Sequence, residues 1–316
     1  MKATIIIPLK NPPNIFNAII QNVLNQKLNY SFEIIIINSG KKLEFYEKIH
    51  DPKNMISIIE VIPNEYGHGK TRNLGASHAR GEYLVFLTHD ALPFNDYWLQ
   101  ELIEPAENDS EIAGVFGRHI AYPDASIFLK EELNNHFNGF ESEPVVYLKD
   151  LDRYKRDPGY RQYLHFFSDN NSLLRKSIWE KIPFPEVDFA EDQTWAKLII
   201  EAGYKKAFAN KSIVYHSHNY THLERLRRSF DESSSFKKYF NYDLNPSFIK
   251  TIKSFLYLVN RDYKIYKKHN INFIDFISQV INNFMRVMGQ FLGNHFNDIP
   301  KIIANTISLD KKLLKS

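Results

Sequence analysis

Three short runs limit what this chain can fold into: Thr4–Pro8 (TIIIP), Glu33–Ile37 (EIIII) and Tyr83–Leu87 (YLVFL) are apolar at almost every position. A strand with one wet face alternates polar and apolar side chains, whereas a strand apolar throughout must be covered on both faces. A parallel sheet with helices above and below meets that condition. The segments between the runs agree with it. Asn14–Leu24 puts Ile15, Ala18, Ile19 and Val23 on one helical face, and Lys70–Ala79 reads as a second helix closed by Gly81. Ile56–Ile62 supplies a further strand. The expectation is an α/β fold on a mostly parallel sheet.

Ligands of such sheets sit outside the carboxyl ends of the strands. Polar groups follow each run: Lys10-Asn11, Asn38-Ser39, the stretch Asn64–Arg72, and Thr88-His89-Asp90. Farther on, Asp152–Tyr163 reads as a charged, aromatic loop containing Gly and Pro, and His165–Trp179 as a return to order. Glu191–Ala202 reads as a helix ended by Gly203, and Ala207–Tyr215 as a last strand leading into His216-Ser217-His218.

Each polar motif has a plain reading beside a chemical one. Gly69-Lys70-Thr71 imitates the end of a phosphate-binding loop, but that loop needs a glycine at position 64, which is Asn. Lys70 and Arg72 near a helix start still favour anions, although a solvated basic loop would look the same. Asp90 suits a hard divalent cation, or equally a helix N-cap ahead of Pro93. Glu191-Asp192 are dipole partners of a first helical turn, or a general base with Asp188 and Trp195 nearby. His216, His218 and His222 lack the spacing of a zinc site, and His216 is better placed to complete a site built by Asp90.

From His222 the character changes. The 95 residues to Ser316 hold 16 Lys and Arg against 8 acids, whereas the remainder holds 24 against 29. Phe273, Phe276, Ile277, Val280, Ile281, Phe284, Val287, Met288 and Phe291 recur at spacings of three and four, which is an amphipathic helix. The division expected is therefore 1–221, an α/β domain, and 222–316, a basic helical region that docks on a membrane, a second copy or the acceptor. No Cys is present, which removes thiolate chemistry and disulfides. No apolar run reaches 18 residues and the start carries no secretion signal, so a cytoplasmic protein is expected. The basic groups form no nucleic-acid motif.

Taken in order, TIIIPLKN, EIIIINSG, GHGKTRNLGASHARGEYLVFLTHDALP, FSDNNSLLRKSIWEKIPF, AEDQTWA and VYHSHNY resemble the inverting GT-A glycosyltransferases of family two. Within that family, the similarity is greatest to bacterial dTDP-rhamnose rhamnosyltransferases of O-antigen and capsule assembly. The resemblance covers about residues 1–221, and more weakly Phe284–Pro300. It implies a GT-A fold, Rossmann-like, with a C-terminal helical extension. Pro8, Lys10, Asn38, Lys70, Arg72, Thr88 and His89 would line the nucleotide-sugar site. Asp90, matching the last acid of the DxD motif, and His216 would hold Mg²⁺ or Mn²⁺. Asp192, with Glu191 beside it, would be the catalytic base, and Trp195 and Asn170 would meet the acceptor. Two positions depart from the pattern: Thr88 replaces the first acid of DxD, and Asn38 replaces an Asp that contacts the base.

The activity implied is transfer of L-rhamnose from dTDP-β-L-rhamnose to a hydroxyl of a glycan or lipid-linked glycan, with inversion. A UDP- or GDP-sugar donor is the nearest alternative, and a nucleotide-sugar-binding scaffold without turnover is a second. A lipid-linked acceptor would bring the tail to the inner face of the cytoplasmic membrane.

Overall fold

The computed structural model describes residues 1–40, 49, 51, 53–63, 66–187 and 189–309. Asn64, Asp188 and the last seven residues, 310–316, lie outside them. Two compact units emerge. The first comprises Met1–Tyr122, Leu133–Val187 and Glu191–Ser217; the second comprises Pro123–Glu132, Asp188–Ala190 and His218–Ser316. The sequence places a boundary at 221. The units divide at 217/218, and two short internal segments join the second.

The first unit is built on a nine-stranded mixed sheet. Its strands are β1 (Ala3–Leu9), β2 (Phe32–Asn38), β3 (Ile56–Glu60), β4 (Tyr83–Leu87), β5 (Leu92–Pro93), β6 (Ile112–Ile120), β7 (Val145–Val146), β8 (Asn171–Arg175) and β9 (Lys205–Tyr215). The order is β3-β2-β1-β4-β8-β6-β9-β5, with β7 also on β9. The half expected from the apolar runs is parallel: β1 pairs with β2 and β4, and β2 pairs with β3. β8 is inserted antiparallel between β4 and β6. That insertion brings the residues just before β8 to the edge where β4 ends.

Both faces are covered, as the runs require. Ile5, Ile7, Ile34, Ile36, Val85 and Leu87 pack against α1 (Phe16–Leu24) and α3 (Trp98–Asn108). Their neighbours Ile6, Ile35, Ile37, Leu84 and Phe86 face the opposite way. They meet α2 (His68–His78), the Leu133–Asn138 end of α4 (Ile127–Asn138), α7 (Lys176–Trp179) and α8 (Glu191–Glu201).

One expectation fails. Asp152–Tyr163 is not a loop but two short helices, α5 (Leu151–Arg156) and α6 (Pro158–His165). Each is started by an aspartate outside its own helix. Asp150 accepts from the Arg153 amide, and Asp157 accepts from the Gly159 and Tyr160 amides ahead of Pro158 at the first turn.

The second unit is helical: α9 (His222–Phe240), α10 (Phe248–Lys268), α11 (Phe273–Asn294) and α12 (Lys301–Ile307). Thr221 caps α9 in a reciprocal box with Glu224. α9 and α11 cross closely at Gly289 and Gly293. Among the described residues, no helix is long and apolar enough to cross a membrane.

Candidate active site

The site grows from α2. Its Gly-Lys-Thr-Arg-Asn stretch grips the segment that leads to α8. A side chain at Gly69 would stand 2.3 Å from the Pro185 carbonyl, so only glycine permits the approach. Asn73 donates to the Phe184 carbonyl at 2.9 Å, and its Oδ1 accepts from the Phe184 amide and from Trp179 Nε1. Arg72 is 5% exposed and turns inward. Its Nη1 donates to Glu191 Oε1 at 2.5 Å, and its Nε lies 3.1 Å from Asp169 Oδ2.

Three carboxylates therefore share one guanidinium. Glu191 and Asp192 open α8, and Asp169 lies just before β8. Asp192 Oδ2 accepts from the Asp169 amide at 3.3 Å, which ties the second acid of the pair to the same cluster. Burial, then the charges of Glu191 and Asp169, push the half-buried Asp192 carboxyl well above the usual carboxylate range. Burial, opposed by Arg72, pushes Asp169 up to about 6. Asp169 is 1% exposed and takes a further bond from Ser172 Oγ at 2.7 Å. The sequence alone does not single it out. Nothing marks one acid in a polar stretch except the fold that brings Arg72 to it.

One residue on, Asn170 carries the cluster toward the end of β9. Its Nδ2 lies 3.4 Å from His216 Nδ1, and His216 Nε2 lies 3.6 Å from Asp90 Oδ1. The strand ends of β4 and β9 thus bring Asp90 and His216 together, as expected from their place at one edge. An oxygen and an imidazole nitrogen at that separation form a donor set that divalent ions such as Mn²⁺ or Mg²⁺ accept. Behind His216 lies His119, its ring 5.5 Å away. Burial, then His216 and His136, hold the pKa of the His119 imidazole well below its ordinary value. Thr88 Oγ1 is buried without a hydrogen-bond partner.

The other expected residues separate into two groups. Pro8, Lys10 and Asn38 stand at the carboxyl ends of β1 and β2, with Lys10 exposed. Asn38 is fully buried; it donates to Glu60 Oε2 at 2.8 Å and accepts from the Gly40 amide. Lys70 is exposed on the first turn of α2, and His89 is partly exposed beside Asp90. Trp195 is a correction. It is 0% exposed, its Nε1 donates to the Ile182 carbonyl, and its ring packs among Phe167 and Phe184, so it is core and cannot touch an acceptor. Three positions after Asp192, the helix has already turned toward the sheet.

Residues 4–182 match the family described as Glycosyl transferase family 2. The chain is 30% identical to the O-antigen chain rhamnosyltransferase RfbN of Salmonella typhimurium, over 98% of this chain and 95% of that protein. It is 28% identical to the O-antigen chain rhamnosyltransferase WbaN of Salmonella anatum, over 92% and 88%. Two solved structures share the fold. The mannosyltransferase PcManGT from Pyrobaculum calidifontis, in complex with GDP-Man and Mn²⁺, superposes with a TM-score of 0.56 at 18% identity, over 75% of this chain and 63% of that one. S. aureus TarS 1-349 in complex with UDP gives 0.53 at 14% identity, over 92% and 91%. The match of residues 4–182, near-complete overlap with two glycosyltransferases and the mixed sheet they accompany lead to one assignment: this chain belongs to glycosyl transferase family 2, the inverting GT-A glycosyltransferases.

Proposed function

We propose that this enzyme transfers L-rhamnose from dTDP-β-L-rhamnose to a hydroxyl of a growing surface glycan, with Asp192 as general base. The observation that carries the catalytic part is the place of Asp192 in the first turn of α8, tied to the Asp169 amide beside the end of β4, where burial raises its proton affinity. A base poised nearer neutrality takes a hydroxyl proton more readily than an ordinary carboxylate. The donor assignment is supported by the overlap with RfbN and WbaN along nearly the whole chain.

The chemistry follows from the residues. Asp192 removes the acceptor hydroxyl proton as that oxygen attacks the anomeric carbon. The bond from that carbon to the diphosphate oxygen breaks on the opposite face, its electron pair leaves with the nucleotide, and configuration inverts. Glu191 and Arg72 hold the base in place rather than touch substrate. Lys10 lines the nucleotide, backed by the buried Pro8 and Asn38, with Lys70 and His89 beside the diphosphate. Asp90 and His216 hold Mg²⁺ or Mn²⁺, which when bound offsets the charge gathering on the leaving diphosphate. Asn170 orients His216 and stands between the base and the cation site.

The test is release of nucleoside diphosphate from dTDP-β-L-rhamnose, set beside UDP- and GDP-sugars, with wild type and Asp192→Asn. Wild type should prefer the dTDP donor, and the variant should lose at least about 10²-fold in turnover. Preference for another donor would overturn the donor assignment. Near wild-type turnover in the variant would remove the base. Binding without turnover in the wild type would leave a scaffold.

The second unit supports a further part of the reading. Phe248, Ile249, Ile252 and Leu256 on α10, and Phe273, Ile274, Ile277 and Ile281 on α11, are exposed. Lys250, Lys253, Lys264 and Lys267 stand exposed on the same α10. Apolar side chains flanked by lysines fit an anionic bilayer surface, where a lipid-linked acceptor would reside.

A further inference from the structure

Within the second unit, the start of α4, the start of α9 and the N-terminal half of α11 line a cavity of about 430 Å³. That volume lies in the lower part of the range of ligand clefts, about 300–1,000 Å³. Its lining is polar in an ordered way. Asp262, 0% exposed, accepts from Gln279 Nε2 and from Asn283 Nδ2, each at 2.8 Å. Gln279 Nε2 also donates to Asn283 Oδ1 at 3.3 Å, so both amide nitrogens are committed and Gln279 is left with its carbonyl oxygen. His222 Nδ1 and Asn282 Oδ1, on the same lining, are buried with no hydrogen-bond partner. Buried polar atoms are rarely left so unless a ligand or water completes them.

Glu132, Arg261 and Arg286 form one ion-pair network in this wall. Glu132 takes both of its oxygens to Arg286 Nη1, at 2.9 and 2.8 Å, and Arg261 divides itself between Glu132 and Asp262. Asp275, exposed at the start of α11, gives its backbone amide to Asn272 Oδ1, and its carboxylate accepts from Asn272 Nδ2. Arg225 has no carboxylate partner among the described residues; its guanidinium lies 5.1 Å over the Tyr220 ring. Burial, then the charge of Arg286, weigh against its cation. A half-buried guanidinium beside unpartnered hydrogen-bonding atoms calls for a ligand with one negative charge and several hydroxyls.

We propose that this cavity binds an acidic glycoside. Arg225 takes the acid group, and His222, Gln279 and Asn282 take ring hydroxyls. The acid is a carboxylate or a phosphate ester, since both suit a guanidinium. That the occupant is a sugar of the acceptor rests on the glycosyltransferase reading; that the cavity takes an anionic sugar does not.

The experiment measures binding of three probes to the full chain by ligand-observed NMR: methyl β-D-glucuronide, α-D-glucose 1-phosphate and neutral methyl β-D-glucoside. At least one acidic probe should bind more tightly than the neutral one, and which acidic probe does so separates carboxylate from phosphate. Arg225→Gln should weaken it about 10-fold or more, and Asn282→Ala about 3-fold or more, since a charge-assisted bond is worth more than a neutral one. The Asn282 variant keeps the test open if the arginine variant does not fold. dTDP binding, measured in parallel, should be unchanged in both. Equal binding of all three probes, no binding of either acidic probe, or wild-type binding in the variants would overturn the proposal. Failure of the catalytic reading would show instead as absent nucleotide binding or turnover, with the glycoside binding intact.

Discussion

Arg72 Nη1 and Glu191 Oε1 stand 2.5 Å apart, both buried, across 119 positions of sequence. The pair joins the helix that follows β3 to the helix that opens with the catalytic acids. A cation shared among Glu191, Asp169 and Asp192 is outnumbered, so the cluster keeps one of its acids readily protonated. Arg72→Met should therefore do two separable things. It should destabilise the chain by about 3–5 kcal/mol, the cost of stranding buried charge. It should also raise the proton affinity of Asp192 further, because the cation that lowers it is gone and only the Gln193 amide still favours the ionised form. Thermal unfolding reads the first and the pH profile of turnover the second. A variant as stable as wild type, with the same profile, would show that the pair does neither.

The pH dependence has a definite sign. Asp192 acts as a base only when ionised, and its pKa in the fold lies well above the ordinary value. Activity should therefore rise with pH through that raised pKa and be lost below it. Glu191→Gln removes the like charge that acts most strongly, the second cause of the shift after burial. Its rising limb should move to lower pH, whatever happens to the plateau. kcat/KM measured across pH, each profile scaled to its own plateau, checks this; a limb that moves up would mean Glu191 supports the ionised form instead.

What the sequence disclosed follows from how many residues repeat a signal. Three runs of buried strand state the same requirement, so the parallel half of the sheet and its carboxyl edge were legible, and with them Asp90 and His216. β6 was not, because Gly114, Gly117, Arg118 and His119 interrupt its apolar character. α5 and α6 were missed because six and eight residues are too few for a period to declare itself. Trp195 sits one turn from Asp192 in sequence, yet helix rotation carries it into the core. Asp169 carries no local mark at all; its role exists only through Arg72.

The exposed apolar residues of α10 give the membrane reading a direct check. The chain should float with vesicles containing phosphatidylglycerol at low salt, and much less with phosphatidylcholine alone, since each lysine near an anionic surface contributes about 1 kcal/mol. Ile249→Glu with Ile252→Glu should abolish flotation, because both side chains are exposed and their loss leaves the core untouched. No flotation of wild type at low salt would remove the membrane from this account.

Gly289 sets two opposing effects against each other. Alanine in place of glycine inside an exposed helix favours folding by about 0.5–1 kcal/mol. Here, however, a Cβ would stand 2.3 Å from the Leu226 carbonyl, and one at Gly293 would stand 2.4 Å from that of Phe230. Both carbonyls belong to α9, so backbone on backbone leaves no side chain free to yield. Crowding of that kind typically costs about 1–3 kcal/mol, more than the helix preference returns. Gly289→Ala should therefore lower the stability of the full chain, and Gly289→Val should lower it further. Ile281→Ala, an exposed site on the same α11, should change it by no more than about 0.5 kcal/mol. Urea unfolding of the three variants decides the matter: a Gly289→Ala protein as stable as wild type would mean that α9 and α11 are not held at backbone distance.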